Sequence, residues 1–545
     1  MKTKIKILLS GVILFSQITL INGQNCNGSS FQRVFGDGGD ERAHAVQTTS
    51  DNGYVIIGET NSYGAGNKDL FVMKLDINGV TQWTKTYGST SLDDGSSASI
   101  VQTMDGGYLI GGHTESFGAG SSYDGYFLKL DGLGNIQWEQ RATGSSYESI
   151  RDLKELSNGD FILLGNASSI GTGAISTYAI RLSSTGVVLW SKAYGAPAQE
   201  QGYSVMELSN GDLILSSGTN SYGSGILDEL LIRIDNMGNI IWSKYYGGGG
   251  TDILYSTKML SDGNIIAVGV TDSYGAGGDE ILLSKIDTGG NLIWTKTYGG
   301  INTDRGEDVE ENKNGEIIIA GYTNSYGSGG YDKLLISVDN NGNINWSKTY
   351  GGTGDDEVDR WAKAMTIASD TGIVIVGGTK SFGFGDDEVY VIKTNSCGES
   401  YCNEQSVVLS TASQSPSFGI APLTVTNGGT FSNTVSISSQ INFNENLLCD
   451  SNLVSINKEI ATKDIFTIYP NPFSNILSIY MPQKNKDVDI QIVDVTGKLV
   501  LDYNKQVKSG KVELYVQNLQ TGVYFILLTT SDGYIQKEKL IKMNN

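Results

Sequence analysis

The chain has 545 residues, and its 59 Asp and Glu against 38 Lys and Arg give a formal net charge of −21. This acidity argues against a nucleic-acid partner, because such a partner requires a basic surface that displaces counterions from phosphates. Only two histidines and four cysteines are present, so a zinc site or a His-based catalytic relay is hard to build. With 39% apolar residues, the chain has ample material for a hydrophobic core.

Residues 1–23 have the pattern of a secretory signal peptide. Three lysines precede a mostly apolar stretch from Ile7 to Ile21, and the small residue Gly23 follows. The alternative is a membrane anchor, but the apolar stretch is short and is interrupted by Ser and Gln. No other stretch approaches the length of a membrane span, so we expect an exported mature chain with no transmembrane segment.

The middle of the chain is repetitive. Tryptophans recur at spacings of 52 to 55 residues, each after a turn-like phrase and most before a Tyr-Gly pair. They are Trp83, Trp138, Trp190, Trp242, Trp294 and Trp346. Each unit contains four short runs of β-branched and aromatic residues separated by turns, which predicts four antiparallel strands. Seven units predict an all-β fold with a seven-bladed β-propeller over residues 24–402. A β-solenoid or another open repeat array is the alternative.

The two ends of this region predict how the ring closes. The last unit lacks its fourth strand, whereas residues 31–36 form a strand without a unit of its own. Phe31 lies 52 residues before Trp83 and therefore fills the tryptophan column. We expect the N-terminal strand to complete blade seven, since an open array would have no use for this permutation. The tryptophan column itself is interpreted as packing between blades.

The repeat unit resembles the repeats of pyrroloquinoline-quinone-type propellers, whose fourth strand also follows a D-x-x-x-G-x-x-x-W-like turn. The resemblance covers all seven units and implies the fold. The catalytic apparatus of quinoproteins is missing from the sequence, which has no vicinal cysteine pair and no evident quinone-stacking tryptophan. No cofactor is therefore predicted.

Two columns of carboxylates recur in the long Gly-rich loops, which the strand order places on one face. The first column lies five residues after the Tyr-Gly glycine and includes Glu41, Asp93, Glu200, Asp252, Asp304 and Asp356, with Glu148 one residue early. The second follows the Ser-Tyr-Gly-type glycine and includes Asp69, Asp228, Glu280, Asp332 and Glu388, with Asp124 one residue late. Carboxylates could bind a cation such as calcium, and the loop aromatics could stack on sugars. Alternatively, each carboxylate accepts hydrogen bonds from its own loop, which is typical of a feature present in nearly every repeat.

Repeat seven departs from the others through a four-residue insertion. The candidate ligand-binding residues there are Asp355, Asp356, Glu357, Asp359 and Trp361. Trp361 could be a ligand platform at a loop tip, or it could pack on the strand beneath it. Paired carboxylates could also serve glycoside hydrolysis. Carboxylates are too common in this chain for the sequence to nominate a catalytic pair.

Residues 403–465 are rich in Ser and Thr and nearly uncharged, which predicts a short β-rich spacer or a glycan-bearing stalk. The four cysteines of an exported chain should pair, and three connectivities are possible. Cys26 and Cys397 occupy the same repeat column at the two chain ends of blade seven, and Cys402 and Cys449 bracket the spacer. We favour these two pairs.

Residues 466–545 contain about seven short strand-like runs, which predict a small Ig-like β-sandwich. This module closely resembles the type A C-terminal sorting domain of the type IX secretion system of Bacteroidetes. The matching motif positions are Pro470, Asn471, Pro472, Asp494, Gly497, Lys498, Gly522, Tyr524, Lys539 and Lys542. The resemblance implies recognition by the type IX machinery, removal of the domain, and release or attachment to surface lipopolysaccharide. An adhesive Ig-like module is the alternative.

These features predict a secreted or outer-membrane surface-attached protein. The leading hypothesis is a propeller that acts as a non-enzymatic binding or adhesion module for a glycan or a surface protein. One alternative is a carbohydrate-active hydrolase or lyase that uses the carboxylates of the long-loop face. Another is a purely structural surface protein.

Overall fold

The protein was analysed as a computed structural model. It describes residues 26–116, 123–275, 277–383, 385–451, 467–469, 473–480, 486–494, 498–507, 511–530 and 535–543. The chain divides into one compact unit that ends at Asp450 and a second that begins at Ser451. The expected signal peptide at residues 1–23 lies outside the described residues, as do residues 452–465 of the expected spacer and residue 466.

Strands account for most of the first unit. Those of the repeats are β1 (Phe31–Gly36), β2 (Glu41–Thr48), β3 (Tyr54–Thr60), β4 (Asp69–Leu75), β5 (Thr81–Gly88), β6 (Asp93–Gln102), β7 (Tyr108–Thr114), β8 (Asp124–Leu130), β9 (Ile136–Thr143), β10 (Glu148–Glu155), β11 (Phe161–Ala167), β12 (Ser176–Leu182), β13 (Val188–Gly195), β14 (Glu200–Glu207), β15 (Leu213–Thr219), β16 (Asp228–Ile234), β17 (Ile240–Gly247), β18 (Asp252–Met259), β19 (Ile265–Thr271), β20 (Glu280–Ile286), β21 (Leu292–Gly299), β22 (Asp304–Glu311), β23 (Ile317–Thr323), β24 (Asp332–Val338), β25 (Ile344–Tyr350), β26 (Met365–Ile367), β27 (Ile373–Thr379) and β28 (Glu388–Thr394). Those that follow are β29 (Glu404–Ser406), β30 (Ser410–Gln414), β31 (Ser417–Ile420), β32 (Thr424–Asn427), β33 (Thr430–Asn433), β34 (Ile437–Gln440) and β35 (Asn444–Asp450).

Seven antiparallel sheets are arranged in a ring. In blades one to six, four consecutive strands pair in chain order, from β2–β5 in the first blade to β22–β25 in the sixth. The first strand of each blade contacts the first strand of the next, and the cycle closes between β26 and β2. This closed arrangement is that of a seven-bladed β-propeller rather than an open array.

Blade seven is completed by the N-terminal strand, as the sequence predicts. The strand β1 pairs antiparallel with β28, and Phe31 lies opposite Lys393. The ring of Phe31 contacts Tyr54 edge to face with centroids 6.4 Å apart, and Trp83 contacts Tyr108 at 6.0 Å in the same way. The placement of Phe31 in the tryptophan column is therefore confirmed.

The tryptophan column packs between blades. Gly290, in the third turn of blade five, has φ +73°, and a Cβ at this position would lie 3.0 Å from the ring of Trp242 in blade four. The hydroxyl of Tyr246 donates to the carbonyl of Gly290 at 2.7 Å. The same bond joins the tyrosine and glycine pairs Tyr87 and Gly134, Tyr194 and Gly238, Tyr298 and Gly342, and Tyr350 and Gly398. The Tyr–Gly hydrogen bond thus joins five of the seven pairs of neighbouring blades.

The fifth strand of every sheet comes from residues 404–450, which we expected to be a spacer. The strand β29 pairs with the fourth strand of blade six, and β30 to β34 pair in turn with blades five to one. The strand β35 then pairs with β1 in blade seven. The expectation of a stalk is wrong for this segment, because its backbone groups complete the ladders of all seven blades. We call residues 404–450 the belt.

Two disulfides fix the ends of these segments. Cys26 is bonded to Cys397, which joins the N-terminal strand to the end of the last repeat. Cys402 is bonded to Cys449, which joins the two ends of the belt. The favoured connectivity is therefore confirmed, and both bonds reduce the conformational freedom of the unfolded chain.

The second unit consists of two antiparallel sheets around a shared apolar core. Its strands are β36 (Thr467–Tyr469), β37 (Ile476–Tyr480), β38 (Lys486–Asp494), β39 (Leu499–Val507), β40 (Lys511–Tyr515), β41 (Gly522–Thr530) and β42 (Ile535–Lys542). Three of them form the sheet β36-β37-β40, and four form the sheet β39-β38-β41-β42. In the part of the chain that the structure describes, no helix has the length and hydropathy needed to cross a membrane.

Several positions of the predicted sorting motif have structural roles. The backbone N–H of Lys498 donates to Asp494 at 3.1 Å, which closes the predicted turn. The hydroxyl of Tyr524 donates to the carbonyl of Gln520 at 2.9 Å. Gly522 begins β41, and Lys539 and Lys542 lie in β42. The other motif positions, Pro470, Asn471, Pro472 and Gly497, lie outside the described residues.

Candidate functional site

The first column of carboxylates is buried and hydrogen-bonded within its own loops. Asp252 accepts from the backbone N–H of Gly248 at 2.7 Å and from the hydroxyls of Thr271 at 2.5 Å and Ser273 at 2.6 Å. The equivalent residues, which also accept from a backbone N–H and from Ser or Thr hydroxyls, are Glu41, Asp93, Glu148, Glu200, Asp304 and Asp356. Of the two interpretations of this column, the geometry favours the architectural one.

The second column is also buried, but it accepts fewer hydrogen bonds. Asp228 accepts from the N–H of Gly225 at 3.1 Å, and its Oδ1 has no hydrogen-bond partner among the described residues. Burial raises the pKa of Asp228 to about 6, and the neighbouring charge of Asp252 adds to the rise. Burial likewise raises the pKa values of Asp69 and Asp332 to about 6. These carboxyl groups can therefore take up a proton just below neutral pH.

Two of the loop aromatics are hydrogen-bonded to the belt. The hydroxyl of Tyr63 donates to the carbonyl of Asn442 at 3.1 Å, and that of Tyr222 donates to Pro422 at 2.8 Å. Both acceptors belong to the belt, so these tyrosines help to hold it in place. Phe117 of the same column lies outside the described residues. Among the residues that the structure does describe, no three His, Cys, Asp or Glu side chains form a group suited to a metal ion.

A different set of polar side chains meets at the centre of the ring. The inner strands of five blades carry a one-residue β-bulge, and the bulged residue lies three positions after the first carboxylate column. A bulge re-aims one side chain, and these five residues are of four types: His, Arg, Tyr and Glu. We call this set the central cluster: His44, Arg151, Tyr203, Tyr255 and Glu307, with Asp359 and Trp361 from the insertion of repeat seven.

Trp361 joins the central cluster through its backbone and its ring. Its N–H donates to Oε2 of Glu307 at 2.8 Å, and its ring lies over the guanidinium of Arg151 at 4.4 Å. Its φ is +63°, a left-handed conformation that costs a bulky residue about 1–3 kcal/mol. Trp361 is half-buried and packs on Arg151, which agrees with the packing alternative. The ligand-platform alternative stays a prediction.

His44 and Asp359 form a buried ion pair at the centre. Nδ1 of His44 lies 2.5 Å from Oδ2 of Asp359, and Nε2 lies 3.7 Å from Glu59. Burial alone would lower the pKa of His44, but the two carboxylates outweigh it and raise the pKa to about 10. His44 is therefore protonated at neutral pH and cannot serve there as a general base.

Glu307 is fully buried, and burial raises its pKa to about 8 despite the hydrogen bond from Trp361. Its Oε1 has no hydrogen-bond partner among the described residues. At neutral pH the carboxyl is therefore largely protonated, and it can donate a hydrogen bond as well as accept one.

Arg151 is the most unusual charge in the central cluster. Its side chain lies between two aromatic rings, with the guanidinium carbon 4.4 Å from the Trp361 centroid and 4.9 Å from that of Tyr203. The residue is 6% exposed, and its Nε and Nη1 have no acceptor among the described residues. By contrast, Arg181 pairs with Asp160 at 2.8 Å in the same blade. Neither the tryptophan repeats nor the carboxylate columns point to Arg151; only its 52-residue spacing from Tyr203 does.

The other predicted site residues lie apart from this cluster. Asp355 accepts from the N–H of Tyr331 at 3.1 Å and lies 3.6 Å from Lys380. Glu357 lies 4.0 Å from Arg42, and Asp356 belongs to the first carboxylate column. The insertion thus brings Trp361 and Asp359 to the centre and leaves the remaining three candidates in its loop.

Comparison with known proteins identifies the C-terminal unit. Residues 467–543 match the family model described as the secretion system C-terminal sorting domain. The C-terminal unit is therefore a sorting domain of the type IX secretion system, as the motif resemblance predicted. The domain supports secretion or surface attachment by the type IX route and interaction with its machinery.

Several solved structures are distantly similar to the chain. A puromycin hydrolase structure is 12% identical, with a TM-score of 0.28, over 62% of this chain and 58% of that one. A family 43 glycoside hydrolase from Bacillus licheniformis is 10% identical with a TM-score of 0.25, over 66% and 98% of the two chains. An endo-1,5-alpha-L-arabinanase from Thermotoga petrophila is 11% identical with a TM-score of 0.25, over 66% and 99%. At these TM-scores the likenesses support no statement about activity. No curated protein matches the chain.

Proposed function

We propose that this protein is a secreted or surface-attached binding module, delivered by type IX secretion, whose propeller recognises a ligand without transforming it. The observation that carries the proposal is the contrast between the repeated polar residues of the long loops and the central cluster. Six of the seven first-column carboxylates and the loop tyrosines repeat from blade to blade and are bonded within the fold. The central cluster changes in residue type between most blades and retains polar atoms that have no hydrogen-bond partner among the described residues.

The proposal includes an N-terminal signal peptide at residues 1–23 and an Ig-like topology for the sorting domain. It also includes a glycan or a surface protein as the ligand, and a propeller related in its repeats to those of the pyrroloquinoline-quinone type. Calcium is not required in this account, because the first-column carboxylates are already hydrogen-bonded by their own loops.

A carbohydrate-active hydrolase or lyase is the second candidate. The observation in its favour is that Glu307 is protonated near neutral pH, whereas the charge of His44 holds the pKa of Asp359 below its ordinary value against the effect of burial. Two carboxyl groups with opposite protonation states are the pattern of a glycosidase acid and nucleophile. Against it, Glu307 is fully buried and Asp359 is bound to His44.

One experiment separates the two candidates. The purified secreted protein is applied to a glycan array, and every bound glycan is then incubated with the protein and assayed for new reducing ends and unsaturated products. We expect binding without product. Glu311, at the end of the same strand β22, provides the matched control. Turnover that is lost in Glu307→Gln but retained in Glu311→Gln would contradict the binding proposal and support the hydrolase.

The export route has its own test. Deletion of residues 467–543 should leave the protein in the periplasm, because the propeller carries no other outer-membrane address in this account. The control is Lys511→Gln, which lies in the same unit but outside the motif positions. Equal surface display of the deletion variant would contradict delivery by the sorting domain.

A further inference from the structure

We propose that Arg151, between the rings of Trp361 and Tyr203, is the binding site for the carboxylate of an acidic sugar at the centre of the propeller. This inference rests on the proposed binding function and names the class of ligand. It is carried by the charge, the geometry and the surroundings of Arg151.

The charge of Arg151 is buried without an acidic partner. Six other arginines of the propeller form ion pairs with carboxylates, namely Arg33, Arg42, Arg141, Arg181, Arg233 and Arg305. Among the described residues, no carboxylate lies within ion-pair distance of Arg151, although it is 6% exposed. Burial of an unpaired cation is unfavourable, and two cation–π contacts offset only part of that cost. A ligand carboxylate would supply the partner that the protein does not.

Two nitrogens of the Arg151 guanidinium are not used by the described part of the protein. The guanidinium carbon lies 4.4 Å from the ring centroid of Trp361 and 4.9 Å from that of Tyr203, and the Tyr203 hydroxyl also interacts with the group. Nε and Nη1 are buried and have no acceptor among the described residues. Planar guanidinium donors of this kind match the oxygens of a carboxylate.

The surroundings favour a sugar over a small inorganic anion. Trp361 is half-buried, and Tyr147, which is also half-buried, is close enough to influence the pKa of Tyr203. Aromatic rings of this kind stack on the apolar faces of sugar rings, and the carboxyl of Glu307 can hydrogen-bond to a hydroxyl group. The net charge of −21 disfavours polyanions, so a singly charged uronate fits better than a sulfated or phosphorylated polymer.

The experiment uses the full secreted chain and three probes: D-glucuronate, D-glucose and sodium sulfate at equal ionic strength. Glucuronate and glucose differ only at the carboxylate, and sulfate offers an oxyanion without a sugar. We expect glucuronate to bind in calorimetry and to raise the melting temperature, with at least tenfold weaker binding of glucose and of sulfate. If sulfate and glucuronate bind equally well, the site is a general anion site. If glucose and glucuronate bind equally well, the carboxylate does not contribute to binding. Either result overturns the proposal.

The variants test the role of Arg151 itself. Arg151→Met should abolish glucuronate binding and melt no lower than the unmodified protein, because it removes a buried charge without a partner. The matched control, Arg181→Met in the same blade, should keep glucuronate binding. Arg151→Lys retains the charge but not the planar group, and it should bind glucuronate at least tenfold more weakly while remaining folded. Undiminished binding by either Arg151 variant would refute the site.

The two proposals can fail separately. If the unmodified protein binds array glycans but not glucuronate, the binding function stands and the acidic-sugar site is wrong. If it binds no array glycan, or if it cleaves a glycan that it binds, the binding function itself is wrong.

Discussion

The blades and the belt form the same kind of antiparallel ladder, but the sequence encodes them differently. Most of the four-stranded blades carry their own turns, Trp, Tyr and Gly, so their pattern is local and repeats every 52 to 55 residues. Belt strands contain three to seven residues and gain regular structure only by pairing with a blade. Their apolar residues often point outward, and Val408 is 88% exposed and Phe418 68% exposed. A segment can therefore complete a β-fold without carrying a strand pattern of its own.

Removal of residues 24–36 should have the largest effect on this architecture. The deletion eliminates β1, which pairs with β28 on one side and with the belt strand β35 on the other. Blade seven would lose its fourth strand and the belt its last partner, and we expect aggregation or a fall in melting temperature of more than about 10 °C.

The control is the double variant Cys26→Ser with Cys397→Ser, which keeps β1 but removes the disulfide that anchors it. A loss of about 2–5 kcal/mol is expected for the bond alone. If the deletion melts no lower than this control, strand pairing by β1 is not what closes the ring.

Much of the propeller follows from the sequence because its signals are local. The 52-residue spacing of Phe31 and Trp83 is sufficient to predict the closure of blade seven, and the repeat column of Cys26 and Cys397 predicts one disulfide. The belt could not be predicted in this way, because its partners lie up to about 400 residues away and its strands have no hydrophobic alternation. Its strands do begin at intervals of six or seven residues, one for each blade, which is the only periodic signal it carries.

The candidate site was predicted less well than the fold. The carboxylate columns are conspicuous because they repeat, and they repeat because they serve the loops. Arg151 occupies a column in which only Tyr203 and Tyr255 share a residue type, so its 52-residue spacing from Tyr203 is the one sequence signal that marks it. Arg151 stands out because no carboxylate among the described residues forms an ion pair with it. Tertiary packing determines this, and the spacing of residues in the sequence does not show it.

The blade-to-blade contacts can be tested at two glycines that share a backbone conformation. Gly290 has φ +73° and its Cβ would meet the Trp242 ring, whereas Gly263 has φ +83° and nothing within 4 Å of a Cβ. Gly263→Ala should cost about 1–2 kcal/mol from backbone strain alone. Gly290→Ala should cost about 1–3 kcal/mol more, because the added methyl overpacks the interface.

Chemical denaturation of the two variants measures this difference directly. An equal loss of stability for both would mean that the repeated glycine serves its turn only and that the contact with Trp242 contributes nothing.

The stability of the protein should depend on pH through the second carboxylate column, represented by Asp228, and not through turn carboxylates such as Asp235. The folded-state pKa of Asp228 is about 6 and its ordinary value is 3.8, so its contribution to stability is fully present below about pH 4 and is lost as the pH rises through 6. Asp228→Asn should therefore flatten the fall in melting temperature between pH 5 and pH 7, by a few degrees at most. Asp235 is the control in the same blade: burial raises its pKa, but hydrogen bonds from Asn239 and from the backbone of Met237 outweigh burial and hold the pKa below 3.8.

Asp235→Asn should lower the melting temperature by a similar amount at pH 5 and at pH 7, since its titration lies below this range. If the melting temperature of Asp228→Asn falls more steeply with pH than that of the unmodified protein, the upward direction assigned to the pKa shift of Asp228 is wrong. Melting curves at several pH values between 5 and 7 provide the measurement.

Hydrogen exchange across residues 404–450 tests the central claim, that the belt is the fifth strand of every blade. In the intact secreted chain, amides of the belt that donate to a fourth strand should exchange slowly, on the timescale of neighbouring amides in β17 and β21. Cys402→Ser with Cys449→Ser should speed exchange first at β29 and β35, the two ends of the belt. Uniformly fast exchange of residues 404–450 in the intact chain, as in a free linker, would contradict the account.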